Sequence, residues 1–207
     1  TSNPKPIRYH ENQSSAQVKT CLMLAAIKTN GKTIIIAKKS RTHSEILFKE
    51  LKIPIKIKST QKRDIIEILK TKKISSFTYK LPGDISSASF FIVLTLLTNN
   101  AKLTIKNVNI NPTRTGIITI LNKMGAKIRF RNKKIYKGEL IANIEIKSIK
   151  NLKNIKLPQK FNSSAIDEFL LIFLVAAKAK GISIFKGLSE LDKKESPRLK
   201  WSSKILN

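Results

Sequence analysis

Three Ser-Ser-Ala triplets, each opening onto an apolar run, constrain this chain more than any other feature. Ser14-Ser15-Ala16 precedes Val18 to Ile27, Ser86-Ser87-Ala88 precedes Phe90 to Leu97, and Ser163-Ser164-Ala165 precedes Phe169 to Ala177. Serine favours helix N-caps because its hydroxyl accepts one of the N–H groups that a helix start leaves unpaired. After each run come a turn and a β-rich segment: Thr33 to Ala37, Leu103 to Ile110 and Ile182 to Phe185. Such segments read as strands. A second helical segment then begins near Thr42, Thr113 and Ser196. The recurrence, at about 70 to 80 residues, describes an array of βα units and not a small-repeat solenoid. One triplet could be chance. Three in the same context set the fold class: α/β, built from repeated βα units.

The middle copy is the most explicit. Pro82-Gly83-Asp84 breaks the chain, and Ser86-Ser87 is the expected helix cap. Leu103 to Ile110 alternates apolar and polar, as a half-buried strand does. Asn111-Pro112-Thr113 is expected to start the next helix, and Met124-Gly125-Ala126 to close it on a glycine. Between the copies, Thr1 to Gln13 reads as a strand or connector. The Lys-rich stretch Lys49 to Lys80 is expected to hold a strand and a helix, the helix over Arg63 to Leu69. Lys127 to Ile149 reads as strands around a turn at Asn132-Lys133-Lys134. Leu81 to Asp84, where Pro and Gly stand together after a charge-rich stretch, is the expected crossing between domains. It divides the chain into 1–82 and 83–207.

A net charge of +28 predicts attraction to polyanions and phosphorylated small molecules. However, 34 of the 41 basic residues are Lys. Ile and Asn are abundant too, and all three are specified by AT-rich codons, so much of the charge is a solvated surface. The Lys are spread along the chain, and most Phe fall in apolar runs where they cannot stack on bases. Nucleic acid is therefore not an expected partner. No run of 18 apolar residues exists to span a membrane. Cys21, the single cysteine, excludes a disulfide framework or a cysteine-built metal centre. Lying in an apolar helical run, it is expected to pack in the core. His10 and His43 are too few and too poorly accompanied for a metal site. The chain starts at Thr1, without an initiator Met, and is expected to be a piece of a longer protein.

Four places carry possible chemistry. The helix start at Ser14 to Gln17 offers unpaired N–H groups, with Ser15 and Gln17 as side-chain donors, which suits phosphate as well as plain capping. Arg41, at a strand-to-helix junction, could meet a phosphate or carboxylate, or form a surface ion pair. Asp167 and Glu168 stand at a helix start, where the dipole alone favours them; facing a ligand, either could act as general acid or base. Lys194, Glu195 and Arg198 fit within one helical turn, either as an exposed ion-paired turn or as a site for an anion undergoing proton transfer.

In chain order, these stretches resemble the enolpyruvyl transferases, and among them the 5-enolpyruvylshikimate-3-phosphate synthase family. Ser15-Ala16-Gln17-Val18-Lys19 is similar to that family's SAQVKS, and Ser40 to Glu45 to its SRDHTE. PGDISSA at Pro82 to Ala88, NPTRTG at Asn111 to Gly116 and MGA at Met124 to Ala126 carry the closest match. Ile166-Asp167-Glu168 resembles IDE, and Glu190 to Arg198 resembles ELRVKESDR, with Asp192 in place of an Arg and Pro197 in place of an Asp. The sister family acting on UDP-N-acetylglucosamine lacks SAQVK and the KES segment.

The resemblance implies an inside-out α/β barrel architecture of two domains, of which this chain holds an incomplete part. It implies transfer of the enolpyruvyl group of phosphoenolpyruvate to the 5-hydroxyl of shikimate 3-phosphate, with release of phosphate. No cofactor and no metal are implied. The partners would be these two small anionic substrates, with no membrane; the full-length protein would be monomeric and cytoplasmic. Ser15, Ala16, Gln17, Arg41, Asp167 and Lys194 would hold shikimate 3-phosphate, and Gln17, Lys194 and Arg198 phosphoenolpyruvate. Asp167 would be the base at the reacting hydroxyl, and Glu195 the group exchanging a proton at the methylene carbon. The family's first Lys-Ser…Arg segment and its last Arg and Lys have no counterpart here, so this piece alone is expected to be inactive. The competing expectation is a catalytically degenerate phosphate- or nucleic-acid-binding module on the same scaffold, or a structural repeat protein that keeps only the scaffold.

Overall fold

The computed structural model describes residues 4–206; Thr1, where the piece was expected to begin, and the outer ends of the two expected domains lie outside the described residues. The chain divides into two compact units. One comprises the residues up to Lys80 together with Ile135–Glu139, the other Leu81–Lys134 and the residues from Leu140 onward.

In the first unit, β1 (Arg8–Glu11) leads through α1 (Ala16–Ala26) to β2 (Lys32–Lys38), which lies parallel to β1. Then come α2 (His43–Glu50), β3 (Ile55–Ser59) and β4 (Arg63–Leu69). β4 is antiparallel to both β2 and β3, so the sheet order is β1-β2-β4-β3. Met23, Ala26, Ile35, Ala37, Phe48, Ile53, Ile66 and Ile68 form the core. Arg63 to Leu69 is a strand, not the expected helix. Its buried residues are Asp64, Ile66 and Ile68, a period of two, and its Ile run favours the pleat over the helix.

The second unit repeats this order: α3 (Ile85–Leu97), β5 (Lys102–Asn109), α4 (Gly116–Lys123), β6 (Arg129–Tyr136) and β7 (Glu139–Lys147). Its sheet runs β5-β7-β6, the same permutation as β2-β4-β3, and β7 is antiparallel to β5 as β4 is to β2. The counterpart of β1 is reduced to Gly83, bridged in parallel to Val108 of β5. In the third copy the bridges Lys153–Lys180 and Lys156–Ile184 flank α5 (Phe169–Lys178), before α6 (Arg198–Leu206). The strand expected at Ile182 to Phe185 is therefore only an isolated parallel pairing. Ile85, Ile92, Leu96, Ile117, Leu121, Ile144, Phe169 and Ile172 lie in one apolar core.

The triplets do not play one role. Ser15 caps α1, its Oγ accepting the Val18 N–H at 3.2 Å. α3 is instead capped by Asp84, whose Oδ2 accepts the Ser87 N–H at 2.9 Å; Ser86 and Ser87 lie inside the first turn. Ser163-Ser164-Ala165 lies in turns before α5, which begins after Glu168. Likewise α4 starts at Gly116, because the Asn111 side chain takes the Thr113 N–H and hydroxyl into a turn of its own. Its end is as expected: Gly125 at φ +100° lets Ala126 N–H reach Leu121 O and its own N–H reach Asn122 O.

The β6–β7 turn falls at Lys137-Gly138, both with positive φ, and not at Asn132-Lys133-Lys134. A Cβ on Gly138 would also lie 2.8 Å from Ile46 Cγ2. This tip joins the first unit through Glu139, which pairs with His43 Nδ1 at 2.5 Å. Cys21 is exposed: α1 buries Lys19, Met23 and Ala26 along one stripe, and residue 21 faces away from it.

Asp84 also pairs with Arg114 at 2.8 Å. Burial pushes its carboxyl up, but the Ser87 N–H, Arg114, and the further bonds from Ser87 and Ser86 outweigh this and hold it below the ordinary value. A depressed folded value contributes stability at neutral pH that is lost as pH falls through it. Asp84→Ala should cost about 1 kcal/mol at pH 7 through loss of the cap, and Asp84→Asn less. Both penalties should shrink in acid denaturation below the ordinary aspartate range. A penalty that stays constant with pH would contradict this account.

Candidate active-site clusters

In the first unit the chemistry-bearing residues gather at the start of α1. Glu11, 2% exposed, accepts the Gln13 and Ser15 N–H groups through Oε1 at 2.7 and 3.2 Å. It thereby sets the turn in which Ser14 takes φ +60°. Ser15 Oγ and O accept from Val18 and Lys19 N–H. The N–H groups of Ala16 and Gln17 find no acceptor among the described residues, and both point along the positive end of α1. Gln17 is exposed and Ala16 half-buried. Arg41 follows β2, just before α2, and is half-buried. Its carbonyl accepts Lys19 Nζ at 2.7 Å. The same ammonium pairs with Glu45 Oε1 at 2.6 Å. In the sequence, Lys19 and Glu45 stand only as members of their motifs; the structure pairs them.

In the second unit three other motifs close on one another. Arg114 reaches from the turn before α4 to Asp84 Oδ1 and, at 2.6 Å, to Ser86 Oγ. The Ser86 hydroxyl in turn donates to Glu168 Oε1, and Glu168 is 3% exposed. Gly116 N–H donates to Ser164 O at 3.1 Å; a Cβ there would sit 2.6 Å from Ser164 C and 2.7 Å from its O, so only glycine lets the two segments approach so closely. The PGDISSA, NPTRTG and SSAIDE stretches are thus one assembly. Arg114 joins these stretches, a contact that no local pattern in the sequence signals.

Asp167, next to Glu168, is half-buried and meets two cations: Arg198 Nη1 at 3.4 Å and Lys194 Nζ at 3.7 Å from Oδ1. Arg198 Nη2 also holds Glu195 Oε2 at 2.9 Å, and Lys194 lies 3.5 Å from Glu190. The structure therefore brings Asp167, Lys194, Glu195 and Arg198 together. They do not share one helical turn, because a 3-10 turn (Ser189–Lys193) ends at Lys194 and α6 starts only at Arg198. The Glu195 side chain is 81% exposed. Its own N–H, then the Arg198 guanidinium, hold its carboxyl below the ordinary value. It therefore stands as a carboxylate at neutral pH.

The two departures in this motif belong together. Pro197 immediately precedes α6 and has no side-chain oxygen to cap it. Asp192 Oδ1 accepts the Leu199 N–H at 3.1 Å, serving the first turn of α6 from outside. Asp192→Ala should cost about 1 kcal/mol in urea unfolding. Restoring an acidic cap at the helix, Asp192→Ala/Pro197→Asp, should recover most of it. No cost for the single change would show that Asp192 is not a cap.

Among the described residues, no group of three or more His, Cys, Asp or Glu is placed to hold a metal ion, and no helix is long and apolar enough to cross a membrane.

The family described as EPSP synthase (3-phosphoshikimate 1-carboxyvinyltransferase) matches residues 1–207. The chain is 41% identical to a 3-phosphoshikimate 1-carboxyvinyltransferase of Caldicellulosiruptor bescii over 98% of its length and 46% of the relative's. It is also 41% identical to one of Legionella pneumophila strain Corby, over 93% of its length and 44% of the relative's. It superposes on the EPSP synthase from Acinetobacter baumannii with TM-score 0.84 and 36% identity, covering 97% of this chain and 44% of that one. The enolpyruvyl transferase NikO from Streptomyces tendae matches at TM-score 0.58 and 15% identity, over 85% and 42% of the two chains, a likeness of fold alone. The chain spans less than half the length of these relatives.

Proposed function

Since the chain belongs to the EPSP synthase family, with the mixed α/β fold of the enolpyruvyl transferases, we propose that it forms part of an enzyme joining phosphoenolpyruvate to shikimate 3-phosphate. The observation that carries this reading is the convergence of Lys194 and Arg198 on one oxygen of Asp167. Contacts of 3.4 and 3.7 Å are loose for ion pairs. An anionic substrate can take over the two cations and leave the carboxylate to accept a proton.

On this reading the 5-hydroxyl oxygen of shikimate 3-phosphate adds to C2 of phosphoenolpyruvate while its proton passes to Asp167. The methylene carbon gains a proton, taken up from solvent and delivered through the Glu195 carboxyl, and becomes a methyl group. Elimination then returns a methyl proton to the protein and expels phosphate, leaving the enolpyruvyl ether. Glu195, ionised and against Arg198, is assigned the proton exchange at that carbon. Lys194 and Arg198 are assigned to the anionic groups, Arg198 chiefly to phosphoenolpyruvate, and Gln17 to both substrates. Ser15 and Ala16 with Gln17, at the positive end of α1, and Arg41 are assigned to shikimate 3-phosphate. A domain boundary near 82, a cytoplasmic location and a monomeric full-length state belong to the same proposal.

Calorimetric titration of the chain with shikimate 3-phosphate at about 0.15 M salt, where distant surface charge is screened, tests the binding half. Selective binding, weakened by Gln17→Ala or Arg41→Ala, is expected. Equal binding of inorganic phosphate and a short oligonucleotide would mean that net charge alone is acting, as in a degenerate polyanion binder. In an enzyme of the relatives' length containing these residues, Asp167→Asn should lower kcat by about 10²–10⁴. The 207-residue chain by itself should show no turnover, since family membership implies phosphoenolpyruvate contacts that it does not contain; measurable turnover would refute that.

A further inference from the structure

Lys19 is fully buried, at 0% exposure. Burying an ammonium is costly, and a buried ion pair often contributes no more than a well-packed apolar pair of the same volume. The reason to keep one is therefore to be sought in what it holds. Lys19 lies one turn into α1, its N–H bonded to Ser15 O at 3.1 Å. Its Nζ donates to Arg41 O at 2.7 Å and to Glu45 Oε1 at 2.6 Å. Glu45, 4% exposed, has no hydrogen bond on Oε2. It belongs to α2, whose first turn is also tied to α1 by the Thr20–Ser44 hydroxyl pair at 2.5 Å. One side chain thus spans from the first turn of α1 to the backbone of residue 41.

We propose that Lys19 is a positioning residue: neutralised by Glu45, it does not bind the anion but fixes the Arg41 backbone against the first turn of α1. The inference rests on the shikimate 3-phosphate reading of Ser15, Gln17 and Arg41. Charge supports the indirect role, because an ammonium already paired with a buried carboxylate contributes little net attraction to a phosphate. Geometry supports it as well. The carbonyl of Arg41, and not its side chain, is what Lys19 holds, so Lys19 acts on the backbone of residue 41.

The test separates holding the fold from holding the loop. Lys19→Met alone strands a buried carboxylate and is expected to melt far lower. The double variant Lys19→Met/Glu45→Leu replaces the ion pair with apolar groups, and its melting temperature should return close to that of the unsubstituted chain. Its amides at residues 39–43 should nevertheless exchange with deuterium about tenfold faster, and shikimate 3-phosphate should bind about tenfold more weakly. Glu45→Gln, which keeps the Lys19–Arg41 bond, should leave that exchange unchanged. Unaltered exchange and binding in the double variant would overturn the proposal. So would failure of the double variant to fold, since the pair would then be holding the fold. If the unsubstituted chain binds no shikimate 3-phosphate, the substrate assignment of this unit fails, and the exchange rates at 39–43 still decide the role of Lys19.

Discussion

The second unit depends on one hydroxyl. Ser86 stands between Arg114 and Glu168, accepting from the first and donating to the second. The three residues come from α3, the turn before α4 and the start of α5, segments far apart in the chain. Glu168 is nearly fully buried, and a buried carboxylate without donors would cost several kcal/mol. The hydroxyl offsets that cost at one oxygen, while the Arg114 guanidinium, anchored on Asp84, orients the hydroxyl. The close approach of Gly116 to Ser164 brings the same segments together through the backbone.

This arrangement connects fold to chemistry. Asp167 is the residue before Glu168, so locking Glu168 places Asp167 on the rim of the buried network with its carboxylate toward Lys194 and Arg198. Those two cations depend in turn on the entry to α6, which Asp192 supports from outside. In the first unit the same logic uses other groups. Buried Glu11 and Lys19 carry no exposed charge, yet each organises backbone at the start of α1 or beside Arg41. Glu11 and Lys19 in the first unit and Glu168 in the second are buried charged groups beside residues assigned to substrate, whereas Asp192 acts from the surface.

Much of this was legible in the sequence because it rests on local rules. The βα repeat followed from cap residues, apolar runs and β-branched segments, and the Met124-Gly125-Ala126 stop from the left-handed preference of glycine. The site residues were legible only as motif members. Their roles depend on partners such as Arg114 and Glu168, which are distant in sequence and have no periodicity. The misreadings share one cause, tertiary context prevailing over local pattern. Arg63 to Leu69 was read as a helix because its alternation is hidden by adjacent isoleucines, and pairing with β2 and β3 decides it. The hairpin turn moved from Asn132 to Lys137-Gly138, where two residues with positive φ match the strand twist. Asp84 displaced Ser86 as the cap because an ionised oxygen near Arg114 is the stronger acceptor there. The third copy kept its helices but not its strand.

The most direct test of the central claim is a double-mutant cycle between Ser86→Ala and Arg114→Ala, read as unfolding free energy in urea at neutral pH. If one hydroxyl joins Arg114 to Glu168, the two changes should couple by about 1 kcal/mol or more, the second costing less once the first is made. Additivity within about 0.5 kcal/mol would show that Ser86 and Arg114 act separately. The second unit would then not depend on that hydroxyl.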